Sequence, residues 1–521
     1  MYKAEELKSK EGENHIPGPG RYVRPVKNGH FPGVAAKKIN KTATVKSKDT
    51  GPEISLDYLY AQYCLQRGFK MASPTETCIH RWNESCWEPL DQIQFETDAY
   101  EYLSSTNLKS TTQAKAQTLV KVVPLALNSQ KLYVPKRPIN TDVIPLKNAY
   151  LVLKGDTPEF TISKPDPALG MKFTINAHLP EEYLSQSVYT PKPVPTDSLF
   201  FNFLETSLPD LEVRALCQEM MASTILQRNF QKATILMGEG SNGKGVLHKI
   251  MAAVHERTIA KELDRLNDSH DLENIVGASL ILVDEIPEGR IHVQRFKSLV
   301  SRDIVTINPK GLKAFSYTPE AAWILNGNHQ MTSRDQSYGF WRRTVTIPFN
   351  SKLTSKILNL SDKIVATELL VVIDWLLEGA IRIIRRGDLM AEEDYPKAVK
   401  DEILSAQLAA NSILSFVDDT EFKIDVEGET WMEKSVVFAD YEHYCSSNGL
   451  KPFNSKNFFK GLLKIAEKFK TPYKERQTTV AGGKRVRQIS VSYQNSSQAP
   501  IKVKLVDQEL DEIPYTNLAG K

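Results

Sequence analysis

Short apolar runs separated by helical periodicity mark the middle of the chain, between about residues 196 and 350. Four such runs occur in order: ATILM, SLILVDE, AAWILN and TVTIPF. Runs of this length are typical of strands, and strands that alternate with helices predict an α/β fold in which helices flank a sheet. We therefore expect an α/β domain over 196–350.

Helical periodicity resumes after this domain, from 351 to about 417. Its most apolar stretch, LLVVIDWLLEGAIRII, is interrupted by Asp374 and Glu378. These charges argue against a membrane span, and the spacing predicts a packed amphipathic helix. We assign residues 351–430 to a helical extension of the α/β domain.

Two different segments precede the α/β domain. Residues 1–50 carry scattered lysines and arginines with Gly/Pro punctuation and few apolar side chains, which indicates a flexible basic arm. Residues 51–195 combine helical LDYLYAQYCLQRG, two tryptophans in HRWNESCWEPL and strand-like runs near KLYVPKRP and NAYLVLK. This mixture predicts an accessory α/β domain, and the proline-rich stretch TPKPVPTDSLF predicts a linker after it.

The last patterned segment, 431–495, predicts two helices followed by a β-hairpin. The first helix ends at Asn448-Gly449, and the second follows Asn454, a suitable N-cap. The second helix has an apolar stripe formed by Phe458, Leu462 and Ile465. Two helices and a basic wing with a Gly-Gly tip predict a winged-helix DNA-binding domain, although a basic helix is more often simply a solvated surface. Residues 496–521 are expected to form a flexible tail.

The net charge and the composition limit how the chain can contact nucleic acid and how many domains it forms. The net charge of +3 provides no global positive field, so contact with nucleic acid must come from local basic clusters. In the C-terminal segment the candidates are Lys456, Lys460, Lys484, Arg485 and Arg487. At 521 residues, 41% of them hydrophobic and 25% charged, the chain is expected to fold into about three domains.

The cysteines and the N-terminal sequence indicate the compartment. The five cysteines have no CxxC spacing, which favours a reducing environment over secretion. The start, MYKAEELKSKEGEN, lacks the apolar core of a signal peptide. We expect a cytoplasmic protein, in the cytoplasm or nucleoid of a cell, with no membrane partner.

Chemistry concentrates at GEGSNGKG, which follows the run ATILM directly. Gly238, Gly243 and Lys244 match the G-x-x-x-x-G-K frame of a phosphate-binding loop, in which backbone N–H groups surround phosphates and the lysine neutralises them. The preceding strand and following helix supply the context that a Gly-rich turn would lack. The loop predicts ATP binding by Gly238, Glu239, Gly240, Ser241, Asn242, Gly243, Lys244, Gly245 and Val246.

Position 245 departs from this frame, because it is Gly where Ser or Thr would place a hydroxyl on Mg²⁺. Two readings stay open. Either water or another side chain completes the magnesium shell, or the nucleotide is bound without efficient hydrolysis.

Polar or charged residues lie at one end of each of the three later apolar runs. Asp284 and Glu285 end SLILVDE, about 40 residues after the loop, where one acid would hold Mg²⁺ and the other would activate water. Asn326 and Asn328 end AAWILN and its continuation; we prefer Asn328 as a γ-phosphate sensor over a turn-forming pair. The pair that precedes TVTIPF is a candidate arginine finger, or else a surface ion-pairing pair: Arg342 and Arg343.

The ordered set GEGSNGKG, LILVDEIPEG, FKSLVSRDIVTINPKGLKAFSYTPEAAWILNGN and GFWRRTVTIPF resembles superfamily 3 DNA helicases, specifically the phage and plasmid primase-helicase group related to poxvirus primase-helicases. The resemblance covers roughly 75–490 and is best over 230–390. It implies a Walker A lysine, Walker B acids, a sensor and a trans-acting arginine at Lys244, Asp284, Glu285, Asn328 and Arg343.

The same resemblance implies a channel loop within NPKGLKAF, in which Lys310 and Lys313 grip the DNA backbone; a solvated turn is the alternative. It also implies a homohexameric ring acting on single-stranded and duplex origin DNA. Residues 1–200 contain no Asp-x-Asp metal pair, so a separate primase is expected to work with the chain and a polymerase.

Together these patterns predict a P-loop NTPase (AAA+-like) motor domain between a mixed α/β N-terminal domain and a C-terminal winged-helix domain. The expected function is an ATP-dependent replicative helicase or initiator of a virus, plasmid or mobile element, with ATP and Mg²⁺ as cofactors. Two alternatives remain: an origin-binding scaffold protein that hydrolyses ATP weakly or not at all, and another P-loop ATPase or kinase.

Overall fold

The computed structural model describes residues 55–76, 78–106, 112–138, 142–268, 272–287, 291–308, 314–328, 338–352, 357–468, 471–479 and 483–493. Its α-helices are α1 Leu56–Gln66, α2 Gln92–Ser105, α3 Gln113–Val120, α4 Val123–Ser129, α5 Glu181–Leu184, α6 Leu199–Ser207, α7 Leu211–Ile225, α8 Lys244–Val254, α9 Val293–Val300, α10 Tyr338–Trp341, α11 Leu360–Arg386, α12 Lys397–Ala410, α13 Ser412–Asp419, α14 Lys434–Ser447 and α15 Ser455–Lys468.

Of the five strands that form the parallel sheet, four fall in the apolar runs ATILM, SLILVDE, AAWILN and TVTIPF. The strands of the structure are short. They are β1 Lys70–Met71, β2 Ile79–Trp82, β3 Trp87–Pro89, β4 Val143–Pro145, β5 Tyr150–Leu153, β6 Phe160–Ser163, β7 Val188–Tyr189, β8 Ala233–Met237, β9 Thr258–Ala260, β10 Leu280–Val283, β11 Val305–Ile307, β12 Phe315–Tyr317, β13 Ala322–Gly327, β14 Thr344–Pro348, β15 Lys423–Ile424, β16 Met432–Glu433, β17 Glu475–Thr479, β18 Arg485–Ile489 and β19 Val491–Ser492.

A five-stranded parallel sheet occupies the middle of the chain, in the order β14-β8-β13-β10-β9. The strands β8, β10 and β14 are buried along their whole length, which explains their uninterrupted apolar sequences. The α/β fold predicted for this region is confirmed. Because all five strands run the same way, the residues that follow them lie at one edge of the sheet.

One hydrophobic core covers a face of this sheet and continues into neighbouring segments. It contains side chains from both sides of positions 195 and 350, for example Ile144, Phe200, Leu247, Leu376 and Val399. Helix α11, the packed helix predicted around Asp374 and Glu378, contributes a buried row to it, and that prediction is confirmed. The boundaries expected at 195 and 350 stay predictions, but the apolar core does not divide at either of them.

Helix α11 is also joined to the rest of the chain by polar contacts. At a kink in the helix, the Glu368 carboxylate accepts hydrogen bonds from the backbone N–H groups of Leu199 and Phe200 at 2.9 and 2.8 Å, and so caps α6. Farther along, Asp374 accepts a hydrogen bond from the Tyr189 hydroxyl at 2.6 Å. Burial raises the pKa of Asp374 to about 6.

The residues before the parallel sheet form two small antiparallel sheets, β1-β2-β3 and β4-β5-β6-β7, and a helical cluster of α1 to α4. The strand predicted at NAYLVLK is confirmed as β5. The strand predicted at KLYVPKRP is wrong: only Tyr133 makes an isolated bridge there, because Pro135 and Pro138 have no N–H to donate to a ladder. The linker predicted at TPKPVPTDSLF ends inside α6, where Phe200 is fully buried.

The C-terminal segment has its own apolar core, formed by α13, α14, α15 and the strands β15, β16, β18 and β19. Asn454 caps α15 by accepting a hydrogen bond from the N–H of Asn457 at 2.9 Å, as predicted. Of the predicted stripe, Phe458 and Leu462 are buried and Ile465 is partly buried. Strands β17 and β18 pair antiparallel as the predicted hairpin, and β18 also pairs with β16.

A buried histidine joins three elements beside the parallel sheet. His255, directly after α8, contacts the hydroxyls of Ser279 and Thr224 through its two ring nitrogens, at 3.1 and 3.0 Å. Burial lowers the pKa of His255 to about 3, so the ring stays neutral in the folded protein. Within the described part of the chain, none of the helices combines the length and the apolar character that crossing a membrane requires.

Candidate functional site

The segment between β8 and α8 forms a tight loop that only glycine permits at two positions. Gly238 and Gly243 have φ values of 154° and 99°. A Cβ on Gly243 would lie 2.2 Å from Ser207 Oγ, and a Cβ on Gly238 would lie 2.4 Å from the carbonyl oxygen of Phe349. The two glycines of the predicted phosphate-binding frame are therefore fixed by geometry.

The loop is tied to the ends of the two neighbouring strands. The N–H of Gly238 donates to the carbonyl oxygen of Gly327, at the end of β13, at 3.0 Å. The Asn242 side chain donates to the carbonyl oxygen of Phe349, just past β14, at 2.7 Å. These contacts hold the loop against the carboxyl edge of the sheet.

Lys244 begins α8 and is almost completely buried. Its Nζ donates to the carbonyl oxygen of Gly238 and to Asn242 Oδ1, the latter at 3.3 Å. Burial lowers the pKa of Lys244. A lysine held over a glycine cradle at the start of an eleven-residue helix suits a phosphate chain, because the ammonium and the helix N-terminus both favour anions.

Two further strands bring the predicted acids and asparagine to the same edge. Asp284 and Glu285 follow β10 directly and are exposed, and Asn328 follows β13, which lies between β8 and β10. The side-chain amide of Asn328 donates to Glu285 Oε1 at 3.4 Å. The side-chain oxygen of Asn326 is buried without a hydrogen-bond partner, so of the two asparagines Asn328 is the one that contacts a predicted catalytic acid.

The Asp284 carboxylate suits a hard divalent cation such as Mg²⁺, and 82% of its side chain is exposed. The hydroxyl expected beside it is missing, because residue 245 is Gly. A Cβ at position 245 would meet no atom within 4 Å, so the space for a hydroxyl-bearing side chain exists. The site fits a nucleotide-bound cation through Asp284 and differs from the usual frame on the side of α8.

Sequence reasoning missed His248, which lies one turn after Lys244 on α8. The side chain is only 6% exposed, and its Nδ1 lies 3.6 Å from Asp284 Oδ1. Burial lowers the pKa of His248, and the nearby Asp284 carboxylate partly opposes this. The signal in the sequence was a histidine within the apolar face of VLHKIMAAV, where Leu247 and Met251 are core residues.

The two candidate finger arginines lie at the opposite edge of the sheet. They precede β14, whose first residue Thr344 pairs with Ala233 at the start of β8. The length of β8 then separates them from the loop by about 13 Å or more. Neither arginine is positioned at the loop of its own subunit.

Their two side chains differ in environment. Arg343 donates to Ser301 Oγ and to the carbonyl oxygen of Gly339, both at 2.6 Å, and burial lowers its pKa. Arg342 is exposed. Both line a shallow groove of about 310 Å³ with Asn229, Phe230, Gln231 and Asp388.

The predicted DNA-contacting residues fall into two groups. Lys310 and Lys313 lie outside the described residues, in the segment between the paired strands β11 and β12. In the C-terminal segment all five candidates are exposed, two on α15 and three at β18: Lys456, Lys460, Lys484, Arg485 and Arg487.

Comparison with known proteins adds a family and three solved structures. Residues 236–343, which contain the loop, both acids, Asn328 and Arg343, match a family of unknown function, DUF5906. The apo structure of the NrS-1 C-terminal region (305–718) has a TM-score of 0.39 at 15% identity, covering 68% of this chain and 95% of that chain.

Two further structures of the NrS-1 C-terminal region are similar at the same level. The A form of the apo C-terminal region has a TM-score of 0.37 at 15% identity and covers 68% of this chain and 95% of that one. The A form of residues 305–718 has a TM-score of 0.40 at 13% identity and covers 84% and 99%.

Proposed function

We propose that this chain is an ATP hydrolase that separates the strands of DNA during replication of a virus, plasmid or other mobile element. One observation carries the proposal: the 238–244 loop, Asp284, Glu285 and Asn328 meet at the carboxyl edge of a single parallel sheet. Each of these groups has a distinct use in cleaving a triphosphate, and no simple structural role requires them together.

The residues divide the reaction between them. The glycine loop and Lys244 bind and neutralise the β- and γ-phosphates, and Asp284 holds the magnesium ion, which supplies charge stabilisation when the nucleotide is bound. Glu285 accepts the proton of the attacking water. Asn328 donates a hydrogen bond to the Glu285 carboxylate, and its role in this proposal is to orient that carboxylate and to sense the γ-phosphate.

Hydrolysis in this proposal needs a second copy of the chain. The arginines lie across the sheet from the loop of their own subunit, so they can act only on a nucleotide bound by a neighbour. Arg342 is exposed, whereas Arg343 is held by Ser301 and Gly339, and we therefore assign the trans contact to Arg342. A closed ring of about six subunits gives every site such a neighbour.

DNA contact in this proposal comes from two places. Lys310 and Lys313 track the backbone of one strand inside the ring, which makes binding independent of sequence and sensitive to salt. The C-terminal segment acts as a winged helix, because two helices and a hairpin share one core and present exposed basic side chains. Origin DNA is its proposed ligand.

Phosphate release by the purified chain, measured with and without single-stranded DNA, tests the proposal directly. We expect hydrolysis that DNA stimulates, unwinding of a forked duplex, and loss of both in Lys244→Ala. Hydrolysis that DNA leaves unchanged, with no unwinding at any protein concentration, would refute the helicase assignment.

A second candidate, an origin-binding scaffold that retains nucleotide without cleaving it, is favoured by one observation. Position 245 offers no hydroxyl for the cation, although the space for one exists. This candidate predicts tight ATP binding, no phosphate release with any divalent metal, and DNA binding that depends on nucleotide.

A further inference from the structure

The first turns of α8 contain two features that the proposed chemistry leaves unexplained. Gly245 lacks the hydroxyl that a phosphate-binding loop usually has at this position, and His248 places an imidazole nitrogen 3.6 Å from Asp284. The two positions are three residues apart on one helix, so they lie on the same side of it. The hydroxyl that is missing at position 245 is thus accompanied by a potential metal ligand, an imidazole nitrogen, at position 248.

His248 is buried, and its Nε2 has no hydrogen-bond partner. Its Nδ1 faces Asp284 Oδ1 at 3.6 Å, too far for a hydrogen bond. A neutral imidazole with its N–H on Nε2 has a lone pair on Nδ1, and this lone pair faces a carboxylate oxygen, which is also an acceptor. A cation between Nδ1 and Oδ1 satisfies both atoms, because each of them can donate an electron pair to the metal.

The separation of the two atoms fits a shared cation. Two ligand atoms that each lie about 2.1 Å from one metal ion are roughly 3.0 Å apart in octahedral geometry and roughly 3.4 Å apart in tetrahedral geometry. Nδ1 and Oδ1 are 3.6 Å apart, so a rotation of the exposed Asp284 side chain that moves Oδ1 by a few tenths of an ångström brings both atoms to ligand distance. Among the residues that the structure describes, no cluster of three or more His, Cys, Asp or Glu side chains surrounds a metal position, so water and phosphate oxygens must complete the shell.

We propose that His248 Nδ1 and Asp284 Oδ1 together ligate the divalent cation of the bound nucleotide, with the imidazole replacing the hydroxyl that Gly245 lacks. This inference rests on the proposed nucleotide site. It gives the site a nitrogen donor, which Mn²⁺ and Co²⁺ accept more readily than Mg²⁺. The chain therefore binds Mn²⁺·ADP more tightly than Mg²⁺·ADP.

Pulsed electron paramagnetic resonance of Mn²⁺·ADP bound to the full chain tests this without any turnover. Protein labelled with ¹⁵N-histidine is expected to show coupling between Mn²⁺ and a directly bound ¹⁵N nucleus, distinct from any ¹⁴N coupling of the adenine. The signal should disappear in His248→Leu, which keeps an apolar side chain of similar volume in the core. His443→Leu is the matched control, because His443 is exposed on α14, and it should keep the signal.

Affinities provide the second measurement. His248→Leu should weaken Mn²⁺ binding to the ADP complex at least tenfold, on the order seen when a metal site loses a supporting group. Adding Gly245→Ser to that variant should restore Mg²⁺ binding, because a side chain at position 245 meets no atom within 4 Å of its Cβ and the serine hydroxyl is the usual ligand at this position.

The outcomes separate this inference from the proposed function. Wild type that binds Mn²⁺·ADP without any ¹⁵N coupling overturns the ligand role of His248 and leaves the nucleotide site standing. If wild type binds no nucleotide either with Mg²⁺ or Mn²⁺ or without any divalent cation in EDTA, the proposed function itself is overturned. The spectrum of labelled wild type decides the matter even where His248→Leu fails to fold.

Discussion

The side-chain amide of Asn328 donates to the carboxylate of Glu285 across 3.4 Å, joining the residues that follow two adjacent strands. Glu285 is the proposed base, so its orientation depends on an asparagine 43 residues farther along the chain. The two residues should therefore have separable effects on catalysis.

Glu285→Gln is expected to bind ATP normally and to hydrolyse it at least about a hundredfold more slowly, because the amide cannot accept the proton of water. Asn328→Ala should slow hydrolysis about tenfold, since the base remains but is no longer held. Fluorescent-nucleotide titration and single-turnover phosphate release distinguish binding from chemistry. Equal rates in Asn328→Ala and wild type would show that the amide has no part in the step.

Replacement of the loop glycines by alanine should affect nucleotide binding very differently at positions 243 and 240. Gly243→Ala is expected to weaken nucleotide binding more than tenfold, because its φ of 99° strains an L residue and its Cβ would collide with Ser207. Gly240→Ala is the matched control: a Cβ there meets nothing within 4 Å, and binding should stay within about threefold of wild type. Comparable losses in both variants would mean that loop geometry is not what binds the nucleotide.

Subunit mixing tests the trans contact of Arg342. Arg342→Ala and Glu285→Gln should each be inactive alone, the first because a neighbour's site loses its arginine. Mixed rings should regain hydrolysis, since an intact acid in one subunit meets an intact arginine from the next. If the two variants assemble into mixed rings that remain inactive, Arg342 does not act on the nucleotide of a neighbouring subunit.

Arg343→Ala serves as the comparison for that experiment. It removes the contacts to Ser301 and Gly339, so a loss of about 1–3 kcal/mol in the free energy of unfolding is expected. Urea denaturation measures this loss directly, whereas Arg342→Ala should leave the unfolding midpoint unchanged.

Acid should destabilise the fold through His255. Its pKa is lowered from 6.5 to about 3 by burial, so below pH 6.5 the unfolded chain takes up a proton that the folded one refuses. Stability is therefore full above pH 6.5 and falls by up to about 1.4 kcal/mol per pH unit as the pH drops towards 3. When the pH is lowered from 7.5 to 5.5, wild type should lose about 1.4 kcal/mol more of its free energy of unfolding than His255→Gln loses, and urea denaturation at the two pH values measures the difference.

Salt dependence tests the C-terminal basic residues. Replacing Lys484, Arg485 and Arg487 by glutamine should weaken binding to duplex DNA and lower the slope of log affinity against log salt by about 2 to 3. Replacing exposed Lys397 and Lys400 on α12 by glutamine offers a control that removes two positive charges away from the hairpin. Removing only Arg485 and Arg487 matches that control charge for charge. Identical slopes in both variants would remove the hairpin from the DNA interface.

The sequence predicted the central sheet and most of the candidate site because both are local. A strand followed by Gly238, Gly243 and Lys244 constrains the loop directly, and acids after the next buried strand must appear at the same edge. The contact of Asn328 with Glu285 follows from the same reasoning once the strands are parallel.

What the sequence could not reveal depends on packing between distant elements. The proximity of His248 to Asp284 requires α8 to lie across β10, and from its apolar neighbours alone the histidine looks like a core residue. The difference between Arg342 and Arg343 likewise depends on Ser301, which is 42 residues away from Arg343. Proximities of this kind leave no local pattern.

The apolar core that extends from Ile144 to Val399 makes the central α/β domain inseparable from the segments on either side of it. A fragment cut at 196–350 loses the residues that pack on Leu247 and its neighbours on α8, and so exposes a large apolar surface to water. Such a fragment should aggregate rather than bind nucleotide. Any transfer of this α/β domain from one protein to another must therefore carry at least residues 144–399 as one inherited block.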